Sequence, residues 1–210
     1  MMRRFQSISF TLLLLCFTLP SMAQGTAEVW LNKAVEQFQN KGVEVVFRIN
    51  EEGFNIGGKL LMEGNNYHFD TDEMKVWYDG TTQWTMQFAD DYAELYISNP
   101  TLEDQQSINP YLVLKNYKNH FTASDGTEKT MGGKPVHEVI LTAKDERQEL
   151  SALHVYIKGD GSLSAMHLIF PDDRIYKVEV RSMRSGLTFP KQTFTYSEQA
   201  FPADEVVDMR

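Results

Sequence analysis

The chain has 210 residues, with 20 Lys+Arg against 29 Asp+Glu and a formal net charge of -9. That acidity excludes a nucleic-acid binder, which needs a basic footprint, and excludes docking on anionic lipid headgroups by charge alone. The length fits one domain with a sizeable core or at most two small ones, and 13 Phe, 9 Tyr and 3 Trp are too many for a disordered chain.

Residues 1–23 read as a signal peptide. Arg3 and Arg4 give a positive start without any acidic residue, and Ile8 to Leu19 is an apolar run too short to span a bilayer comfortably. Ser21-Met22-Ala23 offers small residues at the two positions a signal peptidase reads, which places cleavage before Gln24. Loss of the two arginines moves the net charge from -9 to -11. The only cysteine, Cys16, follows Leu15 inside the apolar run and lacks the setting of a lipoprotein acylation site. The mature chain, 24–210, is therefore expected to be one exported, soluble domain without disulfide, thiol chemistry or lipid anchor.

An amphipathic helix opens the mature chain. Thr26 is its expected cap, Trp30, Leu31, Ala34, Val35 and Phe38 recur at three- and four-residue spacing, and Gly42 is its expected close. From Val43 the period becomes two: Val43, Val45, Phe47 and Ile49 form one set, and Phe54, Ile56, Gly58, Leu60 and Met62 another. Tyr67-His68-Phe69 begins a third strand. Met74 to Tyr78 and Thr81 to Phe88 flank Asp79-Gly80, a favoured two-residue hairpin turn that would set Trp77 opposite Thr82 and Lys75 opposite Trp84. Trp77, Trp84, Met86 and Phe88 then share a face, and Tyr92 to Ser98 is a further strand. Asn99-Pro100 breaks the sheet. Ser107 to Tyr117 reads as a short, largely covered helix capped by Asn109, with Pro110 in its first turn.

The second half returns to strands at Val136 to Ala143, Leu150 to Lys158, Leu163 to Phe170 and Arg174 to Arg181. A tight turn at Asp160-Gly161 pairs Val155 with Met166, Leu153 with Leu168 and Ser151 with Phe170 on an apolar face. On the other face it pairs His154 with His167 and Tyr156 with Ala165. Phe189, Phe194 and Tyr196 indicate a last strand, and Phe201 to Arg210 a tail. The sum is a mainly β (α+β) fold of roughly 10–11 antiparallel strands. A sheet of that size curls, giving an incomplete antiparallel β-barrel with an apolar concave face and a helical lid over an apolar cavity.

Catalytic constellations are missing: there is no G-x-S-x-G, H-E-x-x-H, P-loop or G-x-G-x-x-G. Gly57-Gly58 and Gly132-Gly133 read as a strand kink and a turn. The cross-strand pair His154/His167 is either a weak metal site or a solvent-facing pair, and no third ligand stands at matching spacing. Acidic runs such as Asp70 to Glu73 lack the spacing and central Gly of a calcium loop. Met62, Met74, Met86 and Met166 fall within strands, where they serve either ordinary packing or an adaptable apolar binding surface. No cofactor or metal is expected, and the protein reads as a non-enzymatic binder of a ligand with long apolar parts.

Together with the leader, helix and strand pattern, three segments carry a resemblance. Trp77-Tyr78-Asp79-Gly80-Thr81-Thr82-Gln83-Trp84 is similar to the D-G-x-x-x-W hairpin of the LolA-like periplasmic outer-membrane lipoprotein carriers. Ser98-Asn99-Pro100-Thr101 and Gln106 to Tyr111 resemble that family's approach to its mid-chain lid helix, and Phe201 to Arg210 resembles the closing tail of its Bacteroidetes-type members. The resemblance spans Ala27 to Arg210 and rests on the order and spacing of these segments. It implies a monomeric periplasmic protein that takes acylated lipoproteins from an inner-membrane exporter to an outer-membrane acceptor. One departure is that the best-studied carriers latch the lid with an arginine after the second strand, where this chain has Met62-Glu63-Gly64-Asn65.

On that reading the residues expected to line the lipid-binding cavity are Trp30, Val35 and Phe38 from the lid and Val45, Phe47, Ile56, Leu60, Met62, Phe69, Trp77, Trp84 and Met86 from the first strands. Leu112 from the second helix and Leu153, Val155, Met166 and Leu168 from the later strands complete the set. The rival reading is a lipid-binding or envelope-sensing module of the same fold that acts through a protein partner, which usually needs a second domain. A lipid hydrolase is disfavoured because no nucleophile constellation is present.

Overall fold

The computed structural model describes residues 26–39, 42–51, 53–89, 91–106 and 109–210. The expected signal peptide, its cleavage site and Cys16 lie outside the described residues. Helix α1 (Thr26–Phe38) leads into a first meander: β1 (Gly42–Glu51), β2 (Phe54–Glu63), β3 (Asn66–Thr71), β4 (Met74–Tyr78), β5 (Gln83–Ala89) and β6 (Tyr92–Ser98). After α2 (Leu102–Gln106) and α3 (Pro110–His120) comes a second meander: β7 (Phe121–Met131), β8 (Lys134–Ala143), β9 (Ala152–Lys158), β10 (Leu163–Ile169) and β11 (Ile175–Leu187). A 3-10 turn, Lys191–Phe194, and β12 (Glu205–Asp208) finish the chain.

One sheet holds all twelve of these strands, in the order β12-β6-β5-β4-β3-β2-β1-β11-β10-β9-β8-β7. The two meanders meet at the antiparallel β1–β11 pair, whose ladder shifts register at Gly42/Val43 and again at Val46/Phe47. Such shifts kink a strand and increase its twist. The edges, β7 and β12, do not pair with each other, so the sheet curls without closing. This is the incomplete barrel expected, with twelve strands rather than ten or eleven.

The concave face carries the main core. Val43, Val45 and Phe47 of β1, Leu60 and Met62 of β2, and Leu153, Val155 and Ile157 of β9 alternate inward and are buried. Ala27, Leu31, Ala34 and Phe38 bury one stripe of α1 against it, and Tyr111, Leu112, Leu114 and Tyr117 do so for α3. The α3 start is the expected one: the Leu112 N–H donates to the Asn109 side chain at 3.3 Å, and Pro110 fills the first turn, where no N–H is needed. Thr26 is not the cap of α1 but lies within it, and Gly42 belongs to β1. A side chain at Gly42 would meet the Leu187 carbonyl oxygen at 2.4 Å, so the close β1–β11 approach requires glycine there.

Gly58 is a packing gap on the concave face. An added Cβ would lie 2.4 Å from Phe47 Cζ, because the Phe47 ring covers this glycine while stacking on Phe69 at 5.3 Å. Gly58→Val should therefore cost about 2 kcal/mol through overpacking and drive the Phe47 ring off its neighbour. Urea unfolding with the midpoint and slope both fitted will check this, since an unchanged midpoint contradicts it.

Several expected features differ. The Asp79-Gly80 hairpin closes through four residues, because the Asp79 carboxylate accepts the Thr81 and Thr82 N–H groups at 2.9 Å each, and the Asp79 N–H donates to the Thr82 carbonyl at 3.3 Å. Trp77 then pairs with Trp84 and Lys75 with Met86. The slip is by two residues, so each side chain keeps its face. In the second hairpin the expected pairs Val155–Met166, Leu153–Leu168, His154–His167 and Tyr156–Ala165 are present, and the ladder ends at Ala152↔Ile169, one position short of the expected Ser151–Phe170.

Phe121–Met131 forms an edge strand that the sequence pattern does not predict, because its residues are mostly polar and exposed. Charged, polar edges resist pairing with other chains. Phe189, Phe194 and Tyr196 are not in a strand: Pro190 supplies no N–H for a ladder, and the segment turns in a 3-10 helix instead. The tail does contain a strand, β12, which runs parallel to β6 from Glu205↔Glu94 to Asp208↔Ile97.

Candidate functional site

The hollow of the sheet is filled at one end and empty at the other. Toward α1, buried Phe38, Met62, Leu112 and Val155 close the interior, and Phe38 packs against Tyr111 of α3 with ring centroids 6.1 Å apart. Toward the far end lies an apolar cavity of about 330 Å³. Its floor is Val45, Phe47, Ile49, Leu60, Phe69 and Met74 from β1–β4 and Leu153, Leu163, Met166, Leu168, Tyr176, Val178 and Val180 from β9–β11. Its roof is Pro110 and Val113 of α3, with Glu149, Leu150 and Phe170 at the rim. Natural interiors hold few voids larger than a water molecule, so this is not a packing flaw.

Two recesses adjoin the cavity. One, of about 400 Å³, shares Ile49, Phe69 and Met74 with it and is also lined by Ile56. The other, of about 390 Å³, shares Val113, Glu149 and Leu150 and mixes the polar groups of Asn116, His120, Asp145, Arg147 and Gln148 with the rings of Tyr117 and Phe121.

Of the residues expected to line the cavity, Val45, Phe47, Leu60, Phe69, Leu153, Met166 and Leu168 do so, and Ile56 lines the adjoining recess. The other expectations are corrected. Trp30, Val35, Phe38, Met62, Leu112 and Val155 are packed in or against the solid core near α1, because α1 seals that end rather than roofing the cavity. Trp77, Trp84 and Met86 lie on the opposite face of the sheet, in a separate cluster with Leu95, Tyr196 and Phe201. The tail covers them: Trp77 meets the rings of Tyr196 and Phe201 at 5.6 and 5.1 Å. The lining residues Tyr176, Val178 and Val180 were not singled out, although their period-two spacing in β11 marks one face.

Helix α1 is held by contacts other than an arginine latch. Trp30 stacks on His137 of β8 with centroids 4.9 Å apart and planes 11° from parallel, and Lys33 Nζ lies 4.3 Å from the indole centroid. His137 is itself fixed, with Nδ1 2.8 Å from Glu128 Oε1 and Nε2 3.0 Å from Asp125 Oδ1. Gln37 Nε2 donates to the Asp160 carbonyl at 2.8 Å, and Glu28 pairs with Lys118 of α3.

The remaining histidines of the sheet's second half belong to a polar cluster on the outer face of β7–β10. Buried Glu138 accepts from Lys129 Nζ and Tyr156 Oη at 2.8 Å each, lies 3.0 Å from His154 Nδ1, and accepts from the Thr127 N–H and hydroxyl at 3.2 Å. Burial acts to raise its pKa, but the hydrogen bonds from Lys129, Tyr156, Thr127 and His154 outweigh burial and hold it at about 2. His167 Nδ1 lies 3.3 Å from Tyr156 Oη, and burial, helped by Lys177, lowers its pKa. The His154/His167 pair is thus part of a hydrogen-bonded network. Among the described residues, no group of three or more His, Cys, Asp or Glu is arranged to hold a metal ion.

This geometry agrees with the sequence comparison. The profile of the family described as outer membrane lipoprotein carrier protein LolA matches residues 19–161, more than half of the chain. The chain belongs to the LolA family. No curated protein matches it. Among solved structures, an uncharacterised conserved protein from Thermus thermophilus is similar at 9% identity and a TM-score of 0.60, over 87% of this chain and 98% of that one. That likeness concerns the fold. A LolA superfamily protein from Nitrosomonas europaea is similar at 12% identity and a TM-score of 0.40, over 81% of this chain and 97% of that one. MucB in complex with MucA from Pseudomonas aeruginosa is similar at 13% identity and a TM-score of 0.47, over 82% of this chain and 62% of that one. Among the described residues of this LolA-family chain, no helix is long and apolar enough to cross a membrane.

Proposed function

We propose that the protein is a non-enzymatic periplasmic carrier that shelters the acyl chains of lipoproteins in the cavity between β1–β4, β9–β11 and α3, and ferries them from the inner to the outer membrane. The observation that carries the reading is an unfilled apolar hollow in a member of this family. The hollow opens to solvent at its rim, so without a ligand it exposes a mainly apolar lining to water, and an apolar ligand that covers the lining removes that exposure.

The size also bears on release. At about 30 Å³ per water-sized group the cavity takes roughly eleven methylenes, and at about 0.8 kcal/mol each their burial contributes roughly 9 kcal/mol before the cost of association. A full acyl chain of about fifteen methylenes would contribute about 12 kcal/mol, which corresponds to nanomolar retention. Partial burial therefore suits a carrier that must let go.

Gel filtration without detergent tests this. An acylated lipoprotein should elute as a soluble complex with the mature chain, whereas the same protein lacking its acyl groups should elute alone. Precipitation of the acylated form irrespective of the carrier, or equal co-elution of the unacylated form, overturns the reading.

A further inference from the structure

We propose that the polar recess beside α3 seats the neutral, hydrogen-bonding head of the cargo, the glyceryl ester and first peptide groups, and discriminates against phosphate heads. This rests on the acyl-carrier reading above. The apolar cavity and the recess share Val113, Glu149 and Leu150. A chain lying in the cavity and leaving past α3 at that shared rim therefore places its first polar atoms in the recess.

The recess is firmly built. Lys144 Nζ donates to the Lys118 carbonyl at 2.6 Å, the Lys144 N–H donates to the His120 carbonyl at 2.8 Å, and Gln148 Nε2 donates to the same carbonyl at 3.0 Å. These bonds pin the 144–150 segment to the end of α3 and cap carbonyls that the helix leaves without partners. Gln148 keeps its amide oxygen as an acceptor. Asn116, half-buried on the recess side of α3, has no side-chain hydrogen bond among the described residues.

The charges argue for a neutral head. Arg147, almost fully exposed, pairs with Asp145 through Nε at 3.0 Å and Nη2 at 2.6 Å, so the recess's one guanidinium already faces a carboxylate. Glu149 adds a negative charge at the shared rim. With two carboxylates, Asp145 and Glu149, against one guanidinium, the lining disfavours phosphate and leaves esters, hydroxyls and amides as partners.

Displacement of a fluorescent fatty acyl probe from the full mature chain tests the proposal. The competitors share one chain length: a headless alkane, a monoacylglycerol, a lysophosphatidic acid and a diacylglyceryl-cysteine peptide. Asn116→Leu and Asn116→Met each remove the free amide at similar volume, and thermal melts confirm that the variants fold. Each should weaken the monoacylglycerol, the peptide or both about tenfold, the worth of one or two hydrogen bonds, and leave the alkane unchanged. Weakening of both neutral-headed ligands assigns the seat to the glyceryl ester, and weakening of the peptide alone assigns it to the cargo protein's backbone. Parallel loss for the alkane, no loss for any ligand, or tighter binding of lysophosphatidic acid than of monoacylglycerol overturns the proposal. Wild-type failure to bind even the alkane would instead sink the carrier reading beneath it.

Discussion

Glu138→Ala should destabilise the protein by about 3 kcal/mol at neutral pH. The carboxylate is 4% exposed and takes hydrogen bonds from a lysine, a tyrosine and a backbone amide. Its pKa near 2 against an unfolded value near 4.3 corresponds to about 3 kcal/mol of differential stabilisation. Removing one partner from a buried pair costs a similar amount. The direction with pH follows from the depressed value. The folded carboxyl binds its proton less readily than the unfolded one, so its contribution is complete above about pH 4.5 and is lost as the pH falls toward 2. Exposed aspartates held below their usual range by neighbouring arginines, such as Asp145 and Asp172, add to the acid limb but are screened by solvent. Subtracting the Glu138→Gln stability curve from the wild-type curve therefore isolates the Glu138 limb. A difference that stays flat between pH 5 and 2, or a Glu138→Ala cost under about 1 kcal/mol, contradicts the assignment.

Filling the cavity should abolish useful acyl binding without unfolding the protein. Leu168 lines the hollow from β10 and is half-buried there. Leu168→Trp places a large ring in empty space, so the usual overpacking cost is avoided. If the ring excludes about four methylenes, at about 0.8 kcal/mol each, affinity for a fatty acyl probe falls about 200-fold. The matched control is Trp84→Leu, on the far side of the sheet beneath the tail. That change should lower the melting temperature and leave probe affinity within about twofold, because it touches no cavity wall. Equal probe binding by Leu168→Trp and wild type, or loss of binding in Trp84→Leu alone, would place the ligand elsewhere.

Much of this architecture could be read from the residues, and the misses share a physical origin. Alternation in β1, β9 and β10 placed Val45, Phe47, Leu153, Met166 and Leu168 on the inward face, and Asp160-Gly161 set a hairpin register that the structure reproduces from Tyr156↔Ala165 to Leu153↔Leu168. Asn109 and Pro110 fixed the start of α3 because capping chemistry is local. Alternation also showed that Trp77, Trp84 and Met86 share a face, but period two carries no sign. Which face is concave depended on the tail, whose Tyr196 and Phe201 cover those residues from far along the chain. Similarly, the apolar stripe of α1 marks a helix that buries one side, yet nothing local distinguishes a roof over empty space from a plug in a solid core. The polar edge β7 escaped because an edge strand exposed on most of its length needs little apolar alternation.

The seam between the meanders has a kinetic consequence. β1 pairs with β11 across spans such as Phe47↔Val180, so the central ladder of the sheet joins residues more than a hundred positions apart. Closing so long a loop costs entropy before any contact repays it, so this seam is expected to form later than the hairpins within each meander. The sheet is complete only once the thirteen-residue strand ending at Leu187 has paired with β1. The twelve-stranded sheet is therefore joined into one piece only when almost all of the chain is present.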